Sequence, residues 1–161
     1  MRKRLQVLVL TLVALAPPPA RAASAGERAY FHGDYARAAY LLIPDANEGD
    51  RIAQSFLGYQ FQYGLGVPAS FEQAARWFHR AAEQGEPTAQ FFLGLLYDRG
   101  QGVAENPVEA EKWLDLAAAR APKPKHEYWT TMRDIVAGKM TLDELAEARR
   151  RAVAFYPIRE R

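Results

Sequence analysis

The 161-residue chain contains no cysteine. Disulfide scaffolds, thiolate zinc sites, iron–sulfur clusters and cysteine nucleophiles are therefore excluded. Histidine is scarce as well: the three present, His32, His79 and His126, lie in unrelated segments and none belongs to an HExxH pattern. No GxSxG elbow and no SxxK pair occurs. The chain thus reads as a non-enzyme with no cofactor and no metal. No apolar run reaches the roughly 20 residues that a membrane-spanning helix needs. Neither sign of charge dominates, with 21 Lys+Arg against 19 Asp+Glu. What remains is ordinary: 49% hydrophobic and 25% charged residues, enough for one folded soluble domain.

The first 25 residues read as a leader rather than as part of the fold. Arg2, Lys3 and Arg4 form a basic start, and residues 5–16 are apolar but for Gln6 and Thr11. Three prolines follow, Pro17, Pro18 and Pro19, then two small-x-small sites that place cleavage after Ala22 or after Ala25. Cleavage removes Arg2, Lys3, Arg4 and Arg21, which leaves 17 Lys+Arg against 19 Asp+Glu, a net of −2. A basic case for nucleic acid then disappears, because phosphate binding relies on clustered Lys and Arg. The expectation is a periplasmic or secreted protein with no stable membrane anchor once the leader is gone.

The remainder repeats itself at a spacing of 36. Residues 53–85 set above 89–121 agree at 12 of 33 positions without a gap. Leu57, Gly58, Gly64, Gly66, Ala74, Trp77 and Ala81 in the first copy answer to Leu93, Gly94, Gly100, Gly102, Ala110, Trp113 and Ala117 in the second. Ala53, Gln54, Phe56, Val67 and Ala82 are also matched. A period of this length marks helix pairs stacked into a solenoid. Apolar residues at i, i+3 and i+4 predict a first helix through Ala53, Phe56, Leu57 and Phe61, ended by the glycines of the Gly64–Gly66 loop. Ser70 with Gln73, and Asn106 with Glu109, are capping signals for the second helices, and Pro107 suits a first helical position. The glycine pairs lack the lysine and preceding strand of a phosphate loop and act as helix connections. Trp77 and Trp113 fall on apolar stripes and are expected in the core. Glu105, Glu109 and similar acids are expected on a solvated face.

The ends diverge from the pattern. Residues 26–52 carry a degenerate copy, with Ala38, Ala39, Ala46 and Gly49 in register, and Pro44 is expected to shorten or kink its helix. After residue 121 the repeat stops. Residues 122–125 read as a linker, a helix is expected over about 126–137, and a last helix is expected from the Thr141–Glu144 capping box through Phe155. The units are therefore 26–52 as an N-terminal cap, 53–88, 89–121, and 122–161 as a C-terminal cap.

These motifs resemble Sel1-like repeats: Ala53-x-x-Phe56-Leu57-Gly58, Gly64-x-Gly66-Val67, Ala74-x-x-Trp77 and Ala81-Ala82, with their second copy. The resemblance implies an all-α fold, a short right-handed α-solenoid of antiparallel helix pairs related to tetratricopeptide arrays. It also implies an adaptor whose partner is another protein or peptide. Some exported members carry a disulfide in each repeat, which this chain cannot form.

Helix geometry then points to a binding face. With 53, 56, 57 and 61 in the core, Ser55, Tyr59 and Gln62 share another face, and Phe91, Leu95 and Asp98 are their counterparts. These positions differ between copies while the framework agrees. The expectation is an apolar groove of Tyr59, Phe91 and Leu95, edged by Gln62, Asp98 and Arg99, against the alternative that Phe91 and Leu95 pack on the adjacent unit. Cell-wall ligand binding or hydrolysis, and self-association as a structural module, stand as other functional readings.

Overall fold

The computed structural model describes residues 22–160, so the leader, up to Arg21, lies outside the described residues. Within them the chain forms eight helices and no strand. These are α1 (Ala25–Phe31), α2 (Tyr35–Asn47), α3 (Arg51–Tyr63), α4 (Phe71–Glu83), α5 (Pro87–Arg99), α6 (Pro107–Ala119), α7 (Lys123–Ala137) and α8 (Leu142–Val153). Each helix from α1 to α7 packs on its neighbour in sequence, α1, α3 and α5 also touch laterally, and α8 lies against α6. The result is a solenoid of helix pairs, with the core distributed along it in three linked clusters.

Start and stop chemistry explains why five successive helices, α2 to α6, have the same 13-residue length. Ser70 accepts from the Gln73 N–H and Asn106 from the Glu109 N–H, which caps α4 and α6 as the sequence predicts. Asp50 and Glu86 cap α3 and α5 in the same way. Gly64 and Gly100 end α3 and α5 in the left-handed conformation at φ 66° and 62°.

Pairs of glycines set the spacing of the units. A Cβ on Gly66 would lie 2.3 Å from the Ala36 nitrogen, and one on Gly102 would lie 2.1 Å from the Phe71 oxygen. Each glycine loop therefore rests on the first turn of the preceding unit's second helix. Inside each pair, a Cβ on Gly58 or Gly94 would meet Phe78 at 2.6 Å or Leu114 at 2.7 Å. Helix contact at that distance is possible only without a side chain.

Four details depart from the sequence reading. Helix α2 continues through Pro44 to Asn47, since the N–H that Pro44 lacks is offset by the packing of Leu42 and Ala46 in the core. Helix α7 begins at Lys123, with Pro124 in the first turn, where the missing N–H has no intrahelical partner to lose. Helix α8 stops at Val153, and residues 154–160 run back as an extended strap. Finally, Trp77 is only half-buried, with the Arg80 guanidinium 4.9 Å from its ring centroid. Trp113 is in the core, 1% exposed.

Candidate functional site

The alternation of helix faces decides which predicted site residues reach solvent. In α3, Ala53, Leu57 and Gly58 turn inward toward α2 and α4, so Phe56, Tyr59 and Tyr63 emerge on the side shared with α1 and α5. There they form a chain of aromatic contacts. Tyr30 meets Phe56 at 4.8 Å between ring centroids, Tyr59 meets Tyr63 at 4.5 Å, and Tyr59 meets Phe92 at 5.4 Å. Edge-to-face pairs at such distances hold one another in fixed orientations.

A hollow of about 540 Å³ lies over this chain, lined by Tyr30 and Phe31 of α1, Ile52, Ser55, Phe56 and Tyr59 of α3, and Thr88 and Phe92 of α5. A second hollow of about 320 Å³ includes Gln62, Tyr63, Arg99, Tyr128 and Trp129. The two share Phe92 and Lys125 and so make one trough along the first helices of the units. Phe31, Tyr63 and Tyr128 stand on its walls at 73%, 51% and 58% exposure.

Electrostatically the trough is quiet. Burial raises the Tyr30 phenol to about 12, helped by Tyr59 and Tyr35, and burial also raises Tyr59. Both phenols therefore stay neutral across the physiological range. Glu86, the one carboxylate in the lining, is 7% exposed and accepts from the Ala89 N–H as the α5 cap. The Gln62 side-chain oxygen is buried and has no hydrogen-bond partner, which leaves an acceptor in the wall of the trough. Among the described residues no cluster of His, Asp or Glu is arranged to hold a metal. No described helix is long and apolar enough to cross a membrane.

Of the predicted site residues, Tyr59 and Gln62 line the trough and Arg99 stands exposed at its end. Ser55 lies in the floor at 8% exposure. Phe91 and Leu95 border the second hollow only from its floor: at 2% and 6% exposure they belong to the core and pack on the adjacent helix, so they offer little open surface. The cause is α7, whose Trp129 stacks on Phe91 with centroids 4.8 Å apart and planes 9° apart. Asp98 accepts from the Lys139 ammonium at 2.9 Å and ties α5 to the α7–α8 turn. Phe31 and Tyr128 were missed because they lie in the caps, which do not repeat, and Tyr63, in the repeated helix α3, because its counterpart is Arg99 rather than an aromatic. The surplus of aromatics near α1 was the available signal.

The acids of α6 also depart from expectation. Glu109 pairs with Lys112 at 3.3 Å and with Arg151 of α8 at 2.7 Å, and Glu111 is 1% exposed. Neither forms a solvated face: Arg151 of α8 engages Glu109, and Glu111 faces Arg133 of α7 and Arg149 of α8.

Comparison with known proteins agrees with this architecture. A family model described as Sel1 repeat matches residues 51–86 and 87–121. Two solved structures are similar. One is a protective antigen present in uropathogenic Escherichia coli strains and displaying an SLR fold, 30% identical with a TM-score of 0.74. The other is a Sel1 repeat protein from Oxalobacter formigenes, 33% identical with a TM-score of 0.61. Each alignment covers 82% of this chain, but only 29% of the first protein and 53% of the second, so the chain spans about half or less of either. No curated protein sequence matches the chain.

Proposed function

Because this chain carries two Sel1 repeats, we propose that it is a protein-interaction adaptor whose aromatic trough takes up a peptide segment of a partner protein. The observation that carries the reading is the run of rings from Tyr30 to Tyr128, rigidly packed below and exposed above. A preformed apolar surface loses little ordering entropy on docking. Each exposed ring gains about 25 cal/mol for every Å² of apolar area covered. Lys125 supplies a cation at the rim of both hollows. A hydrolase reading has weaker support, since the single carboxylate in the lining is engaged as a helix cap.

The reading includes export to the periplasm or outside the cell, with cleavage after Ala22. Ser24 caps α1 by accepting from the Glu27 N–H, and the Ala23 carbonyl accepts from Arg28. Cleavage after Ala25 would remove both. Sequencing the N-terminus of the exported chain is the direct check, and a mature chain that starts at Gly26 would sink this site.

The trough is tested with Phe31→Ala/Tyr63→Ala in the full chain. Both side chains are exposed, so helicity by circular dichroism should be unchanged. Selection of peptides from a random library on the wild-type protein should yield aromatic or aliphatic sequences that bind the double variant at least tenfold more weakly. Equal binding by both proteins refutes the trough. Tight binding of muropeptide fragments in place of peptides would move the reading to a cell-wall ligand, and concentration-dependent mass would move it to self-association.

A further inference from the structure

The extended strap after α8 lies across the opposite ends of the helices from the glycine loops, over the turns that join one unit to the next. Its side chains divide between the protein and water. Phe155 packs edge-on to Trp113 at 5.4 Å, and Pro157 lies over Gly85, where an added Cβ would come within 3.1 Å of the proline ring. Tyr156 and Ile158 point away, 85% and 65% exposed. The Ile158 N–H donates to the Glu83 carbonyl at 2.9 Å. Glu160 then receives the Arg80 guanidinium, with Nη2 to Oε2 at 2.6 Å and Nε to Oε1 at 3.1 Å, and the Gln54 amide at 2.9 Å.

The receiving surface is organised by groups other than the strap. Arg80 is stacked on Trp77. Gln84 donates to the Gly49 carbonyl and to the Gln54 side-chain oxygen, both at 2.9 Å, which orients the Gln54 amide and leaves the Gln84 oxygen facing the Glu160 N–H at 3.4 Å. Gly49, at φ 96°, gives a floor with no side chain, since a Cβ there would lie 2.9 Å from that of Glu160. A fixed guanidinium and two oriented amides on a glycine floor read a carboxylate and the backbone that carries it.

We propose that this turn edge is a recognition site for an extended segment of a partner protein, with a glutamate three residues after a proline, and that residues 155–160 occupy it in cis. The strap's contacts suit a displaceable occupant. Tyr156, Ile158 and Arg159 remain in water, and the Arg80–Glu160 pair is itself about one-third exposed. A tethered strap competes at an effective concentration in the millimolar range. The site is separate from the aromatic trough, so failure of either reading leaves the other standing.

The test uses the full chain with Glu160→Arg, which turns the cis occupant against Arg80, and a fluorescent peptide of sequence AFYPIRE as the probe. Hydrogen exchange at the Ile158 amide should be slow in the wild type and fast in the variant. Fluorescence anisotropy should then show the peptide binding the variant at least tenfold more tightly than the wild type. Adding Arg80→Ala, or replacing the peptide's glutamate by glutamine, should lower that affinity at least tenfold. No binding to the folded variant at millimolar peptide overturns the proposal, as does equal binding with and without Arg80. A wild-type dimer that Arg80→Ala dissociates would assign the edge to strap exchange between copies and overturn the partner reading.

Discussion

Glu111 gives the protein a stability that should fall as pH rises through the neutral range. The residue stands in α6 where the first repeat has Ala75, and it is 1% exposed with Arg133 of α7 and Arg149 of α8 among the charges around it. Its Oε2 has no hydrogen-bond partner. Burial is the largest influence on its carboxyl and Asp115 adds repulsion, while Arg133 and Arg149 act the other way. The result is a pKa raised from 4.5 to about 7. In the unfolded chain the group ionises near 4.5, so between that pH and about 7 the folded state holds a proton that the unfolded state has lost. Stability therefore declines across this window, by about 3 kcal/mol at 1.36 kcal/mol per pKa unit, and is flat above it. Glu111→Gln cannot ionise, so it should match the wild type near pH 5 and exceed it near pH 8, by up to roughly 3 kcal/mol or about 8 °C in Tm. Urea unfolding of both proteins from pH 5 to 8.5, compared by midpoint, is the assay. The carboxylates held low, Glu109 and Glu160 among them, change protonation below this window and cancel in the comparison. Parallel pH profiles for the two proteins would refute the reasoning.

Gly102→Ala should cost far more than Gly33→Ala. Both positions have positive φ, worth about 1–2 kcal/mol for a non-glycine residue, but a Cβ at Gly33 meets nothing within 4 Å whereas one at Gly102 strikes the Phe71 backbone. Equal losses of Tm would remove the spacing role given to the loop glycines. Phe91→Ala should destabilise by about 3–5 kcal/mol as a buried aromatic truncation. Tyr63→Ala, at 51% exposure, should change denaturation midpoints little. A reversed order would remove the core role given to Phe91.

How much was legible follows from what repeats. Caps, loop glycines and the alanine and aromatic stripes recur at 36 residues, so helices α3 to α6 could be read from local chemistry and periodicity together. Contacts made by the non-repeating ends could not. Trp129 buries Phe91, and Glu111 lies where α7 and α8 pack on α6, contacts that only the C-terminal cap supplies. The strap escaped notice because Ala152 and Phe155 continue a helical stripe, although Pro157 two residues later forbids the helix from going on. The face bearing Tyr59 and Gln62 was legible because it belongs to a repeated helix. Its aromatic walls, Phe31 and Tyr128, belong to the caps and were not.

The repeat's one shared polar core residue was counted but not explained by its spacing. Gln54 and Gln90 are both fully buried, and each donates to the carbonyl of an alanine near the end of the preceding second helix, Ala46 at 3.0 Å and Ala82 at 3.2 Å. In a chain without cysteine these amides are staples between units, made at the helix end where carbonyls lack intrahelical partners. The two staples are unequal. Both alanine carbonyls keep a second donor, Ala46 in the Gly49 N–H and Ala82 in the Gly85 N–H, but the Gln90 oxygen is unpaired where that of Gln54 accepts from Gln84. Replacing Gln90 by leucine thus removes one modest bond and one stranded acceptor, changes that nearly cancel, and should cost within about 1 kcal/mol. Gln54 also accepts from Gln84 and donates to Glu160. Its replacement by leucine withdraws an acceptor from a buried amide and a donor from a carboxylate, for a loss of about 2–3 kcal/mol. Because Arg80 and the Gln54 amide hold the Glu160 carboxyl low, part of that loss should be present at neutral pH and vanish as pH falls through the depressed Glu160 pKa. Urea midpoints of the two leucine variants at neutral and acid pH decide the matter, and equal costs at both would mean that the staples act as packing alone.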